Sequence, residues 1–316
     1  MAIIVQYSRF GGPEVLEVVE VPTPTAPVDG VVVEVRAAGV NPIDSKLRSG
    51  LRSSAPLTGP RRVGSDAAGV IVETGALVDG WSVGDEVIVR GADGAYASHL
   101  VAYPRQLVAK PKSLSWEQAA AIGVPAGTAF QVLTSLGVTR GDTLLVHGGS
   151  GAVGQAAVQF AHAWGATVVA TASEANHARL AELGAIPVAY GPGLTDRVRA
   201  VAPQGIDVAL DAAGTPEAIE TSLALVADHN RIGTIVLGAK AAELGIRAWS
   251  GGSPVPLTAQ EQALRREAID AVAELVRRGE FQIEISRRLP LSAAAEAQRE
   301  SETGHVRGKI VLLPGV

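Results

Sequence analysis

The first part of the chain alternates short apolar runs with turns that are bounded by glycine. Four of these runs are rich in β-branched residues: 30–40 (GVVVEVRAAGV), 67–75 (AAGVIVETG), 84–91 (GDEVIVRG) and 98–103 (SHLVAY). Such spacing predicts short strands in an antiparallel barrel or sandwich. A helix is predicted over 115–123, where Ser115 precedes a helix-forming stretch as an N-cap.

Further along, the pattern changes to continuous apolar strands that alternate with helices. The predicted strands are 143–148 (TLLVHG), 167–172 (TVVATA), 186–190 (IPVAY), 207–214 (DVALDAAG) and 231–238 (RIGTIVLG). Uninterrupted apolar strands with helical crossovers predict a parallel sheet that is buried on both faces. A long amphipathic helix over 258–281 follows, and a last strand at 308–314 (GKIVLLP) resembles those of the first region.

The composition is that of a globular protein, with 47% hydrophobic and 19% charged residues among 316. The formal net charge is −5 and no long basic tract occurs, so we expect neither nucleic acid nor a membrane as partner. The chain has no cysteine, which excludes disulfides and thiolate metal sites. Without a signal-peptide pattern or a run of about 18 apolar residues, we expect a cytoplasmic protein.

A glycine-rich turn joins the first strand of the parallel-sheet region to a helix. Gly149, Gly151 and Gly154 fit the pattern G-x-G-x-x-G, with Ala152 and Val153 between the last two. The first glycine permits the tight turn, the second lets the backbone approach a diphosphate, and the third allows close packing of helix and strand. The N–H groups and dipole at the helix start then favour the phosphates. The pattern therefore predicts a dinucleotide site.

The end of the next strand indicates which dinucleotide is bound. NAD-binding units usually place an acidic residue there for the ribose hydroxyls, but this strand ends in Ala172 and Ser173. Ser173, His177 and Arg179 offer hydroxyl and basic groups that suit a 2′-phosphate. We therefore expect NADPH rather than NADH, although His177 and Arg179 also fit ordinary solvent-facing helix positions.

Several motifs follow one another along the chain in the order that is typical of one protein family. They are 37–50 (AAGVNPIDSKLRSG), 64–75 (GSDAAGVIVETG), 84–87 (GDEV), 119–133 (AAAIGVPAGTAFQVL), the glycine turn and 304–312 (GHVRGKIVL). Together they resemble the medium-chain dehydrogenase/reductase superfamily, specifically its zinc-free quinone oxidoreductase branch. The resemblance covers nearly the whole chain.

This resemblance implies an α/β fold of two domains and a homodimer. A β-rich GroES-like catalytic domain, 1–122 and 286–316, would surround a Rossmann NADP-binding domain with a doubly wound parallel sheet, 123–285. It also implies further cofactor contacts from Thr128, Tyr190, Gly238 and Lys309. The alternatives are a helix cap for Thr128, an aromatic strand end for Tyr190 and a strand-edge charge for Lys309.

The positions of the catalytic zinc ligands are altered in this chain. Asn41 stands where zinc-dependent relatives have their first ligand cysteine, and Ser65 replaces the histidine of their Gly-His-Glu motif. Asp66 alone cannot hold a catalytic zinc, which needs about three protein ligands. We therefore expect no metal site.

Three residues of one segment are the candidate catalytic groups. Asn41, at the family's nicotinamide-proximal position, would donate a hydrogen bond to a substrate carbonyl on which charge develops. Its alternative is a turn residue before Pro42. Asp44 is a structural acceptor or a partner of Lys46, and Lys46 replaces a tyrosine that many quinone oxidoreductases carry as proton donor. A surface lysine is the alternative for Lys46.

The predicted function is NADPH-dependent reduction of quinones or α,β-unsaturated carbonyl compounds, with a small-molecule substrate. Two alternatives stay open: an enoyl reductase acting on a thioester or biosynthetic intermediate, and a catalytically idle NADPH-binding sensor. Tyr7, Phe130 and Trp249 are candidate walls of an apolar pocket, with core packing as the alternative for each. The Gly/Pro-rich segment 249–256 is a candidate lid or an inert connector.

Overall fold

The computed structural model describes residues 1–52, 54–249 and 255–315. Most of the proposed lid segment, 250–254, lies outside the described residues. The chain divides into two compact units, one formed by Met1–Val124 with Ile283–Val316 and the other by Pro125–Gln282. The sequence-based division, 1–122 with 286–316 and 123–285, stays a prediction.

The strands and helices follow one another in this order. Up to residue 121 they are β1 (Ala2–Tyr7), β2 (Glu17–Val21), β3 (Val31–Gly39), α1 (Pro42–Arg48), β4 (Arg61–Arg62), β5 (Asp66–Thr74), β6 (Glu86–Arg90), β7 (His99–Ala102), β8 (Leu107–Ala109) and α2 (Trp116–Ala121). Then come α3 (Gly123–Ser135), β9 (Thr143–His147), α4 (Ala152–Ala163), β10 (Thr167–Ala172), α5 (His177–Glu182), β11 (Ala185–Ala189), α6 (Leu194–Val201), β12 (Val208–Asp211), α7 (Pro216–Leu225), β13 (Ile232–Thr234), α8 (Gly238–Ala241), β14 (Arg247–Ala248) and α9 (Ala259–Arg277). The chain continues with β15 (Ile285–Pro290), α10 (Ala294–Glu302) and β16 (Lys309–Leu313). None of the helices in the described ranges is long and apolar enough to cross a membrane.

The first unit is built on two sheets, as its short β-branched runs predict. One has the order β2-β1-β4, and the larger has the order β15-β16-β3-β5-β6-β8, with β7 also paired to β3. All of these pairs are antiparallel except that of β15 with β16. The predicted strands and the helix capped by Ser115 are confirmed, and the Ser115 hydroxyl accepts a hydrogen bond from Gln118 N at 3.2 Å. The last strand, β16, pairs with β3 and so belongs to this unit.

The second unit contains the predicted parallel sheet. Its order is β11-β10-β9-β12-β13-β14, and every neighbouring pair is parallel. The order reverses between β9 and β12, and the crevice at the carboxyl ends of such strands is where doubly wound sheets bind ligands. The turn after β9 therefore lies at the edge of the sheet where a ligand is expected.

One predicted strand is shorter than expected. The apolar run 231–238 predicts a continuous strand, but β13 ends at Thr234. The Thr234 hydroxyl donates to Asp211 Oδ2 at 2.7 Å and accepts from Val236 N at 3.1 Å and Leu237 N at 3.0 Å. Because this side chain satisfies the N–H groups of Val236 and Leu237, the chain turns before Gly238.

A histidine at the end of β9 is enclosed in the core of the second unit. The His147 ring is fully buried, with Nδ1 3.3 Å from Thr171 Oγ1 and Nε2 3.1 Å from Ser222 Oγ. The Ser222 hydroxyl donates to Ala218 O at 2.9 Å, so it can accept from a protonated Nε2 of a neutral ring. Burial lowers the pKa of His147 from 6.5 to about 4.

We expect His147 to make the second unit sensitive to acid. The pKa of His147 in the folded protein lies below its value in the unfolded chain. The contribution of His147 to the unfolding free energy is therefore complete above pH 6.5 and is lost as pH falls towards about 4. Between about pH 7 and about pH 4.5, the wild type should lose about 2 kcal/mol more unfolding free energy than His147→Gln, which cannot titrate. Denaturant unfolding of both proteins at the two pH values measures this difference. Equal losses in both proteins would contradict the assignment.

Candidate functional site

Five polar side chains come together in the interior of the first unit. They are Asn41, Asp44, Asp66, Tyr96 and Lys309, and none is more than 4% exposed. We call them the Asn41 cluster. Buried polar and charged groups are costly unless they are paired, so such a group is a candidate functional site.

The register of three strands brings the cluster together. Gly39, the last residue of β3, pairs with Asp66 on β5 and with Val311 on β16. Because β16 runs antiparallel to β3, Lys309 lies opposite Asn41, two positions beyond Gly39. The bond from Val40 N to Ile310 O at 3.0 Å continues this pairing.

Asn41 is held in place by the start of α1. It has extended backbone angles, φ −122° and ψ 144°, and Pro42 occupies the first helical position. Asn41 N donates to Asp44 Oδ2 at 2.9 Å, and Asp44 N donates to Asn41 O at 3.0 Å. The predicted turn before Pro42 is therefore a helix N-terminus, and Asp44 fixes the backbone of Asn41.

The side-chain amide of Asn41 bridges two charged groups. Its Nδ2 donates to Asp66 Oδ2 at 3.1 Å, and its Oδ1 accepts from Lys309 Nζ. The second N–H of the amide has only a 3.5 Å contact with Gly39 O, at the outer limit of a hydrogen bond. One donor position of Asn41 is therefore weakly used.

The carboxylate of Asp66 also meets the start of α3. Its Oδ2 accepts from Val124 N at 2.8 Å, while among the described residues the buried Oδ1 has no hydrogen-bond partner. A Cβ at position 123 would lie 2.3 Å from Oδ1, which explains why this position is glycine. The negative charge is favoured by the N-terminal dipole of a 13-residue helix.

Burial shifts the pKa values of the four titratable members of the cluster. Burial raises the pKa of Asp44 to about 7, although the Asn41 backbone bond, Lys309 and Tyr96 oppose the shift. It also raises the pKa of Asp66, against the effect of Lys309, and lowers the pKa of Lys309, against the effect of Asp66. The pKa of Tyr96 is raised by burial and by Asp44, to which its hydroxyl donates at 3.0 Å.

Lys46 makes none of the contacts that define the cluster. It lies half-buried in the last turn of α1, where a cation is favoured by the helix dipole. Burial, and then the nearby Arg52, lowers its pKa. The proton-donor role of Lys46 stays a prediction.

The glycine turn of the second unit divides into packed and open positions. A Cβ at Gly149 would lie 2.9 Å from Ala170 Cβ, and a Cβ at Gly154 would lie 2.2 Å from Gly148 O. At Gly151 a Cβ would meet only Gly148 O, at 3.6 Å. The fold therefore requires the first and third glycines of the motif, whereas packing leaves space beside the second.

The first three N–H groups of the helix that follows the turn have no acceptor within that helix. Gly151 is the N-cap of α4 and provides no side chain to cap it. The first intrahelical bond runs from Gln155 N to Gly151 O at 2.8 Å. The N–H groups of Ala152, Val153 and Gly154 precede that bond and have no acceptor within the helix. Such an uncapped N-terminus beside open space suits a phosphate group.

The residues predicted for the 2′-phosphate make different contacts. Ser173 Oγ accepts from Asn176 Nδ2 at 3.0 Å, and His177 Nε2 lies 3.4 Å from Ala172 O. Both therefore stay at the carboxyl end of β10. Arg179 donates to Gln282 Oε1 at 2.6 Å and to Glu182 Oε2 at 3.3 Å.

The remaining predicted cofactor residues occupy distinct positions. Thr128 is buried in the interior of α3, so the alternative that it caps a helix is wrong. Lys309 is buried, so it is not an exposed strand-edge charge. Tyr190 follows β11 and is 57% exposed, and Gly238 begins α8. Their cofactor contacts stay predictions.

The three candidate pocket residues pack within their own units. Tyr7 is buried in the first unit and its hydroxyl donates to Leu47 O at 3.4 Å. Phe130 makes edge contacts with the rings of Phe160 and Trp164, at centroid distances of 5.3 Å and 5.5 Å. Trp249 Nε1 donates to Glu261 Oε1 at 2.6 Å. Packing within each unit accounts for these contacts. That Tyr7, Phe130 and Trp249 line a substrate pocket stays a prediction.

Sequence reasoning missed two members of the cluster as functional groups. The family pattern marks Asp66 only as an inadequate zinc ligand, and no local pattern singles out Tyr96. The signal for Asp66 was its position at the start of an apolar strand, where a carboxylate needs a buried partner. Within the described ranges, no group of three or more histidine, aspartate or glutamate residues could hold a metal ion.

Comparisons with known proteins cover both units. An alcohol dehydrogenase GroES-like domain model matches residues 28–112, and a zinc-binding dehydrogenase model matches residues 183–312. With the sheet topology above, these matches confirm the predicted α/β fold with a GroES-like domain and a Rossmann-type domain.

Individual relatives match the chain to different extents. A quinone oxidoreductase from Pseudomonas aeruginosa is 33% identical over 329 aligned positions, covering 99% of this chain and 100% of that protein. The human quinone oxidoreductase is 40% identical over 171 residues, 53% of this chain and 52% of that protein, so the match spans about half of its length. A mycobacterial protein solved in complex with NADPH has a TM-score of 0.84 and 26% identity, covering 99% of this chain and 100% of that one.

We expect Asp44→Asn to stabilise the protein at alkaline pH. The folded pKa of Asp44 lies above its unfolded value, so its contribution to stability is lost as pH rises from 3.8 through about 7. Asparagine can still accept from Asn41 N and Tyr96 Oη without a buried charge. The variant should gain about 4 kcal/mol of unfolding free energy at about pH 8, and the gain should fall below about 1 kcal/mol near pH 4. Denaturant unfolding across this range tests it, and a gain independent of pH would contradict it.

Proposed function

Since the chain belongs to the quinone oxidoreductase branch of the medium-chain dehydrogenase/reductase superfamily, we propose that it is an NADPH-dependent, zinc-independent reductase of quinones or α,β-unsaturated carbonyl compounds. The observation that carries the proposal is the turn after β9, where packing requires Gly149 and Gly154 but leaves Gly151 open. A glycine without a packing reason at a helix start is expected where a diphosphate approaches the backbone.

The residues of the second unit fit a dinucleotide phosphate. The N–H groups of Ala152, Val153 and Gly154 would hold the diphosphate, and Ser173 and His177 would contact a 2′-phosphate. A carboxylate at the end of β10 would repel the 2′-phosphate, and β10 ends without one. The solved mycobacterial relative with NADPH, at 26% identity, supports this choice of cofactor. Contacts from Arg179, Tyr190, Thr128 and Gly238 belong to the same proposal.

Asn41 is the proposed polarising residue. When bound, NADPH would supply a hydride to an electron-poor carbon of the substrate, and a proton from Lys46 or from water would complete the reduction. Negative charge then grows on the substrate carbonyl oxygen, and a directed donor must stabilise it. The second N–H of Asn41 suits this role because its contact with Gly39 O, at 3.5 Å, is weak enough to be exchanged for a better acceptor.

Zinc independence rests on the donor set of the first unit. Where zinc-dependent relatives have cysteine and histidine ligands, this chain has Asn41 and Ser65, and it contains no cysteine. Asp66 is engaged by Asn41 and Val124. These side chains do not provide the roughly three nitrogen, sulfur or carboxylate ligands of a catalytic zinc. The homodimer and the cytoplasmic location stay predictions from the resemblance and the sequence.

We expect Asn41→Ala to lower turnover without weakening cofactor binding. Loss of one donor to a developing oxyanion costs about 10²–10³ in kcat. The assay follows NADPH absorbance with a panel of quinones, enones and enoyl thioesters, and NADPH affinity is measured by fluorescence. Lys46→Ala is measured in the same assay as a comparison. Unchanged turnover in that variant would show that Lys46 is not the proton donor. Turnover of thioesters alone would favour an enoyl reductase, and NADPH binding without any turnover would favour a sensor.

Gly151→Val should remove NADPH binding while leaving the fold intact. The backbone angles at Gly151, φ −71° and ψ 163°, are allowed for valine, and a Cβ there meets no close atom. Valine methyls would fill the space proposed for the diphosphate, so affinity should fall by at least about tenfold. Gly59→Val is the control, because a Cβ at this exposed glycine of the first unit also meets no atom within 4 Å, and this variant should keep the NADPH affinity and melting temperature of the wild type. Wild-type NADPH affinity in Gly151→Val would contradict the proposed site.

A further inference from the structure

The side-chain amide of Asn41 could in principle lie in either of two orientations. The oxygen and nitrogen ends of an amide have nearly the same shape, so neighbouring hydrogen bonds decide which end points where. For a residue proposed to donate an N–H to a substrate oxygen, this choice decides whether the group can act.

Two neighbours of opposite character fix the orientation. The Lys309 ammonium can only donate, and it donates to Oδ1 of Asn41. Asp66 Oδ2 accepts from Nδ2 of the same amide at 3.1 Å and from Val124 N at 2.8 Å. A flipped amide would turn its N–H groups towards the Lys309 ammonium and its oxygen towards the Asp66 carboxylate. Both buried hydrogen bonds would be lost, so only one orientation is stable.

Lys309 is well placed to control this group. The pairing of β16 with β3 sets it opposite Asn41, and its side chain is buried beside the amide. A charged donor at Oδ1 also withdraws electron density from the amide, which strengthens the N–H groups at its other end. A Cβ at Gly39 would lie 3.2 Å from Lys309 Cε, so the glycine also leaves room for this side chain.

We propose that Lys309 is a positioning residue that orients and polarises the Asn41 amide, so that Nδ2 presents its N–H to the substrate oxygen. This inference rests on the proposed reductase function and assigns Lys309 a role different from a contact with the cofactor. It also gives Asp66 a role, as the acceptor that holds the nitrogen end of the amide.

A double-mutant cycle tests the proposal. Lys309→Met keeps the length of the side chain but removes its donors, and should lower kcat by about 10- to 100-fold, as expected for a misdirected catalytic group. The dissociation constant of NADPH should stay within about twofold of the wild type. In the Asn41→Ala background, the same change should cost less than about twofold, because no amide is left to orient. Lys112→Met, at an exposed lysine of the same unit, is the control for loss of a positive charge.

Two results would overturn the proposal. Losses that multiply in the double variant would show that Lys309 acts independently of Asn41. A large fall in NADPH affinity with kcat unchanged would return Lys309 to a cofactor contact. Lys309→Gln retains a donor and should lose less activity than Lys309→Met. If Lys309→Met does not fold, Lys309→Gln takes its place in the cycle with the same expectation of non-additivity.

A readout without turnover separates this inference from the proposed function. The side-chain amide protons of Asn41 can be observed by NMR in the protein without substrate and identified by their absence in Asn41→Ala. We expect their resonances to move and their exchange with water to accelerate in Lys309→Met, but not in Lys112→Met. Unchanged resonances would overturn the positioning role. If the wild type reduces no substrate but the resonances respond, the proposed function fails while the orientation of Asn41 by Lys309 stands.

Discussion

The bridge that the Asn41 amide makes between Lys309 and Asp66 is the interaction on which the buried charges of the first unit depend. A buried ammonium or carboxylate without a partner would be strongly destabilising. Asn41 gives each of these groups one hydrogen bond, and Asp44 holds the Asn41 backbone. Because Asp66 also accepts from Val124 N, the same network reaches from α1 to the start of α3.

The second unit shows how one motif serves both the fold and a ligand. Gly149 lies against Ala170, and Gly154 lies against Gly148, so side chains at these positions would disrupt the packing of α4 on the sheet. Gly151 has no comparable neighbour. A purely structural turn would need glycine only where atoms crowd or where φ is positive, and φ at Gly151 is −71°. The residue type at this position is therefore better explained by a ligand than by the fold.

Most of the architecture was predictable because hydrophobic periodicity and glycine positions are local signals. The strand around Val33 and the helix after Gly151 appear where the pattern predicts them. The cluster was not predictable in the same way, since Asn41 and Lys309 are 268 positions apart and meet only through the register of β16 on β3. The motifs singled out both residues but not their contact. Thr234 shortened β13 through side-chain bonds that a hydrophobic pattern does not record.

An amide between Lys309 and Asp66 does something that a direct ion pair would not do. A buried lysine–aspartate pair can satisfy both charges, yet it often adds little stability over apolar packing, and it provides no neutral donor. With Asn41 between them, the two charges are still paired, and each acts on a different end of the amide. The ammonium selects the oxygen and the carboxylate selects the nitrogen, so the second N–H is held in one direction before any substrate arrives. Such preorganisation is what makes a hydrogen-bond donor effective towards a developing oxyanion, because no energy is then needed to turn the group during the reaction.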